Sequence, residues 1–161
     1  MTPQQMTMSA YEEILPGKYD DAERMFLMAL EELRGQATSD LHYTLGLTGL
    51  AQVYLLQDRF EEAETLFRQA LSHYERDFVE DAYGRFSTLC HLGAVSLAKG
   101  TLEQSRAFYE QALELGERTL QDQQAVLAQA CLRGYADVLH RLKLSSDAQA
   151  VENRIKSIME T

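Results

Sequence analysis

The side chains able to do chemistry in this chain are four histidines, two cysteines and several acidic pairs. The histidines are His42, His73, His91 and His140, and the cysteines are Cys90 and Cys131. A helical metal site needs two ligands at i and i+4, and no histidine here has such a partner in a known motif. Cys90 and His91 are adjacent, but neighbours on a helix diverge by about 100°. Thiol and imidazole therefore do not form a nucleophile and its base. Glu12-Glu13, Glu31-Glu32 and Glu61-Glu62 read as surface helix residues, with nothing to bury them and raise a pKa. The chain has no GxSxG elbow, P-loop or GxGxxG turn. These patterns predict no catalytic, metal or cofactor site. The cysteines lack CxxC spacing and read as small buried hydrophobes in a reducing compartment, bridged only if the fold brings them together.

Composition narrows the class further. The 161 residues carry a net charge of −10, and 45% of them are hydrophobic. Ala, Leu, Glu, Gln and Arg dominate, which favours helix throughout. An acidic surface repels phosphate backbones, so nucleic acid is not the expected partner. No apolar run has the roughly 20 residues needed to cross a membrane. Met1 to Ala10 has no positive charge, so a secretory signal is not expected and the default location is the cytoplasm. Thr2-Pro3-Gln4-Gln5 instead reads as a helix start, with an N-cap threonine, proline at the first position and glutamine closing a capping box.

The elements that position everything else come from an internal repeat. Gly17 to Leu30 recurs as Asp58 to Leu71, as Gly100 to Leu113 and, more weakly, as Lys143 to Ile155. The small residues Ala22, Ala63, Ser105 and Ala148 recur at intervals of 41, 42 and 43. Phe26, Phe67 and Tyr109 follow four residues after the first three, and Ala29, Ala70 and Ala112 three after those. These offsets share one helical face. Each such helix is preceded by another apolar one, with Leu47, Leu50, Ala51 and Tyr54 on one face in the second copy. The pattern predicts eight helices over 3–15, 19–34, 41–57, 60–76, 80–99, 102–119, 123–142 and 146–159. They form repeats 3–34, 41–76, 80–119 and 123–159 of one domain, 1–161. The joints lie at Gly35–Asp40, Asp77–Asp81 and Leu120–Gln123.

The turn, aromatic, small, aromatic, small-Leu order resembles the second helix of the tetratricopeptide repeat. Leu50-Ala51 with Tyr54, and Leu92-Gly93, are similar to its first helix. The spacing near 42 resembles the long repeats of the kinesin light chain. The fourth copy departs from the pattern, with Glu152 in place of an aromatic, and resembles a closing cap. The resemblance implies an all-α, right-handed α-solenoid of four antiparallel helix pairs. Its first helices would line a concave groove, and its second helices, rich in Glu and Asp, a solvated convex face.

On that implied groove stand Tyr11 and Leu15, then Leu45, Thr48, Gln52, Leu55 and Leu56. The third repeat offers Ser87, His91 and Ala94, and the fourth Arg133, Asp137, His140 and Arg141. The first half is apolar and the last is basic. The expected partner is a protein or peptide, apolar and acidic at one end, held helix-in-groove by a non-enzymatic adaptor or scaffold. Family members that grip a terminal carboxylate use Lys and Asn at places held here by Thr7, Tyr11, Gly49, Ser87 and His91, so that clamp is not expected. Two other readings stay open. One is a self-assembling scaffold, a homodimer through Met6, Met8, Tyr11, Ile14 and Leu15. The other is a small acidic secretion chaperone.

Overall fold

A computed structural model describes residues 1–34, 41–119 and 125–159, and leaves out the side chains of 117–119, 125–127, 158 and 159. The joints Gly35–Asp40 and Leu120–Gln123, and the start of the seventh helix at 123–124, lie outside the described residues. Those residues form eight α-helices and no strand: α1 Pro3–Ile14, α2 Tyr19–Leu33, α3 Leu41–Leu56, α4 Phe60–Arg76, α5 Ala82–Ala98, α6 Leu102–Thr119, α7 Ala125–Arg141 and α8 Ser145–Met159. The chain is an all-α repeat protein, as its periodicity predicts. The helices gather into two compact units, Met1–Glu80 with two hairpins and Asp81–Thr161 with two more.

The capping box at the start of α1 forms as read. Gln5 N–H donates to Thr2 Oγ1, and Thr2 N–H donates to Gln5 Oε1. At the head of the second unit, the Asp81 carboxylate accepts from Gly84 N–H at 2.8 Å and caps α5. Each satisfies an amide that the helix itself leaves without a partner.

The turn inside every hairpin is built the same way. Gly17, Asp58, Gly100 and Lys143 adopt positive φ, at 78°, 59°, 76° and 61°. In the second hairpin Asp58 N–H donates to Leu55 O and Arg59 N–H to Tyr54 O, and the other three turns repeat both bonds. This left-handed close returns the last carbonyls of the first helix to amide donors and starts the second helix two residues later.

The repeat's small residues do what their spacing predicts. Ala22, Ala63, Ser105 and Ala148 are fully buried, as are Ala29, Ala70 and Ala112. Ser105 stands where the other copies have alanine, and its hydroxyl donates to Gly93 O of α5 at 2.7 Å. That bond offsets the cost of burying the oxygen. In the first unit α2 packs on α1 and then on α3, α4 packs on α3, and α1 also touches α3; α5 to α8 repeat this order. Leu47, Ala70 and Tyr74 centre the first unit's core, with Leu30, Leu66 and Phe78 against them.

One contact locks successive hairpins within each unit. The Phe26 ring of α2 is fully buried against Gly49 of α3, where even a methyl group would overlap Cζ. Tyr109 of α6 meets Gly134 of α7 in the same way, with its hydroxyl at the glycine. Burying such a ring contributes about 2 kcal/mol. Glycine is the only residue that lets the ring reach the helix backbone.

Candidate protein-binding faces

In the first unit the face lies on α1 and α3. Tyr11 is pinned across the two helices, its hydroxyl donating to Leu45 O at 2.8 Å and lying 3.2 Å from Thr48 Oγ1. Its ring meets Phe26 edge-on at 5.0 Å, so the wedge below supports the surface above. Thr48 is buried beneath Tyr11, and its own hydroxyl donates to Leu45 O at 2.9 Å. Among the expected groove residues, Leu45, Gln52 and Leu55 are half-buried. Leu15 and Leu56 hold equivalent places at the ends of the two helices, and are 93% and 48% exposed. The structure thus brings Tyr11, Leu45 and Thr48 into one cluster, with Leu15 and Leu56 open to solvent.

In the second unit the face lies on α5 and α7. His91 Nδ1 sits 2.7 Å from Ser87 O one turn earlier, and burial holds its pKa below the usual imidazole value. A neutral ring with Nδ1–H donating to the carbonyl fits both facts. Ala94 is half-buried and Arg133 exposed. Arg141 is held by Asp137, one turn back, with Nη2 to Oδ2 at 3.1 Å. His140 is directed to α8, where its Nε2 lies 2.7 Å from Glu152 Oε1. Of the three basic residues read from the sequence, Arg133 alone has no ion pair with another described residue.

Cys90 and Cys131 are both buried free thiols in this unit. The neighbouring Cys131 thiol, together with burial, pushes the Cys90 thiol far above its usual range. A nucleophilic thiolate is therefore not what Cys90 supplies.

Sequence reading missed the charge division between the units. Residues 1–80 hold six Lys and Arg against fifteen Asp and Glu, a formal charge of −9; residues 81–161 hold nine against ten, or −1. Neither α1 nor α3 contains a Lys or Arg, whereas α5 and α7 carry Arg85, Arg133 and Arg141. Counting charge by element, not over the whole chain, exposes the difference. The reading also passed over Arg59, which joins two hairpins of the first unit. It bonds Glu23 at 2.9 Å and Glu62 at 2.6 Å, with its guanidinium 3.8 Å over the Tyr54 ring.

No described helix is long and apolar enough to cross a membrane. The alternating hairpins, the left-handed turns and the small-residue stripe define a helical repeat protein. Residues 47–76 and 86–124 match the tetratricopeptide repeat family, which the chain resembles in its repeats and in its fold. Its fold is shared with BtubC (BKLC) from P. vanneervenii at a TM-score of 0.86 and 18% identity, over 96% of this chain and 62% of that one. It is shared too with two structures of a Podosopora anserina protein assigned as a kinesin light chain, with nearly identical TPR-like repeats. Those have TM-scores of 0.76 and 0.73 at 15% identity, covering 95% and 96% of this chain and 72% and 73% of theirs. No match was found among curated protein sequences. The resemblance to kinesin-light-chain-like repeats is thereby borne out for the fold. Repeats of this family generally mediate protein–protein interaction and scaffolding, without catalysis.

Proposed function

We propose that this chain is an adaptor whose first-helix faces hold a segment of another protein. One observation carries the proposal. Leu15 and Leu56 recur at the same place in consecutive first helices and stay open to water beside half-buried Leu45 and Leu55. Solvent-exposed leucine repeated at one register is surface that folding does not use. On the second unit, exposed Arg133, which has no ion pair among the described residues, supports contact with an acidic group of the partner. The two buried free thiols favour a reducing compartment such as the cytoplasm. The test is affinity capture from native lysate with wild type, Leu56→Glu and Arg133→Glu. Both substitutions fall on exposed positions, so each variant should keep its fold and lose wild-type partners. Unchanged capture by both variants defeats the proposal.

One feature favours self-assembly as a second reading. Met8 of α1 and Leu15 at its C-cap are both exposed and stand seven residues apart, the spacing of a helix–helix seam. Sedimentation that gives a dimer in wild type and a monomer in Met8→Lys supports it; a monomer at high concentration removes it.

A further inference from the structure

We infer that the α1–α3 face takes a helix with an apolar stripe flanked by lysine or arginine. The inference rests on the adaptor reading and names the chemistry of the partner at the first unit.

The charge of the unit selects the flanks. Its six basic residues are all committed: Lys18 to Glu13, Arg24 to Asp21, Arg34 to Glu31, Arg59 to Glu23 and Glu62, Arg68 to Glu64 and Arg76 to Asp77. Fifteen acidic residues against these six leave the unit a formal charge of −9. Exposed Glu12 of α1 precedes Leu15 by three residues, and exposed Asp58 follows Leu56 by two. A cationic flank gains from this field, an anionic flank is repelled, and a second copy of the chain brings another −9 unit to the same place.

The two hydroxyls of the face favour a helix over an extended strand. A strand needs donors and acceptors for its own backbone. The Tyr11 and Thr48 hydroxyls both donate to Leu45 O, which leaves neither proton for a strand's carbonyls. A helix satisfies its backbone internally and needs only an apolar surface, which Leu15, Leu45, Leu55 and Leu56 provide.

Four synthetic peptides of about 18 residues, enough for five turns, test this against the full chain by fluorescence anisotropy at low and high salt. The first carries a leucine stripe with lysine flanks. The second and third replace lysine with glutamine and with glutamate, and the fourth scrambles the first to destroy its stripe. The lysine peptide should bind at least tenfold more tightly than the other three and weaken in high salt. Leu56→Glu should remove most of that binding, Leu56→Gln part of it, and Glu103→Gln on α6 none. Equal binding of the lysine and glutamine peptides, or tighter binding of the glutamate peptide, overturns the charge inference and leaves the adaptor reading standing. Equal binding of the scrambled peptide reduces the effect to bulk charge and overturns the docking face. If no peptide binds, the inference fails, while the capture experiment decides the adaptor reading separately.

Discussion

The two units use one packing device with different tips. In the first, a phenyl ring enters the slot that Gly49 leaves on α3; in the second, a phenol enters the slot that Gly134 leaves on α7. Phe26 ends in carbon, whereas Tyr109 places a hydroxyl near Cys90, Cys131 and Asp137, and burial pushes its pKa well above the usual phenol value. The exposed sides diverge further, with an acidic unit next in sequence to a nearly neutral one. Repetition fixes the slot because any Cβ there blocks it. It leaves the ring's tip and the surface charge free to vary.

The largest expected effect breaks that comparison at the slot. Gly49→Ala sets a methyl against three atoms of a fully buried phenyl ring, which has no room to withdraw. Overpacking of this kind outweighs the gain of about 1 kcal/mol in helix propensity, for a net loss of about 2 kcal/mol. Gly134→Ala mainly meets the tip of Tyr109 and should cost about 1 kcal/mol. Adding Tyr109→Phe to Gly134→Ala should recover part of that loss. Urea unfolding of the three variants measures it. Equal costs at both glycines make the tips irrelevant.

Much of this fold was legible because its cause is local. The 41-, 42- and 43-residue intervals of Ala22, Ala63, Ser105 and Ala148 located the second helices, and all four residues are buried. The glycines at 49 and 134 were visible as mid-helix oddities, but their function needed the ring from another helix. The candidate faces were less legible. Helical phase put Tyr11 and Thr48 on equivalent faces, yet phase within one helix cannot show that Tyr11 covers Thr48. The same limit hid the direction of His140, which Glu152 of α8 holds. The Arg141–Asp137 pair was readable at i, i+4 spacing. It tempers the basic character assigned to the fourth repeat.

A smaller effect sharpens the comparison at the turns. Each unit has one glycine turn and one turn in which a side chain bears positive φ: Asp58 in the first unit and Lys143 in the second. Aspartate tolerates this conformation better than lysine does. Lys143→Gly should therefore stabilise the protein by about 0.7 kcal/mol and Asp58→Gly by only a few tenths. Denaturation midpoints decide the order, and a loss of stability in Lys143→Gly contradicts the turn assignment.

The smallest effect concerns acid, and here the units should agree. His73 of the first unit lies beside Thr44 Oγ1 at 3.2 Å, and burial, with Arg76 second, lowers its pKa against a weaker opposing pull from Asp77. His91 of the second unit is lowered by burial, against the Ser87 carbonyl. A histidine depressed by folding binds its proton more readily in the unfolded chain. Stability from the neutral ring is therefore complete above the unfolded pKa of about 6.5 and is lost as pH falls through that value toward the folded pKa. The lowered carboxylates Glu62, Asp77 and Glu110 start from 4.5, 3.8 and 4.5, so their contribution is lost only in more acidic solution. The melting temperature should fall between about pH 7.5 and 5.5. His73→Asn and His91→Asn should each remove a share of that fall, because asparagine has no proton to gain. If only one substitution flattens the profile, one unit alone carries the acid sensitivity and the expected parity fails.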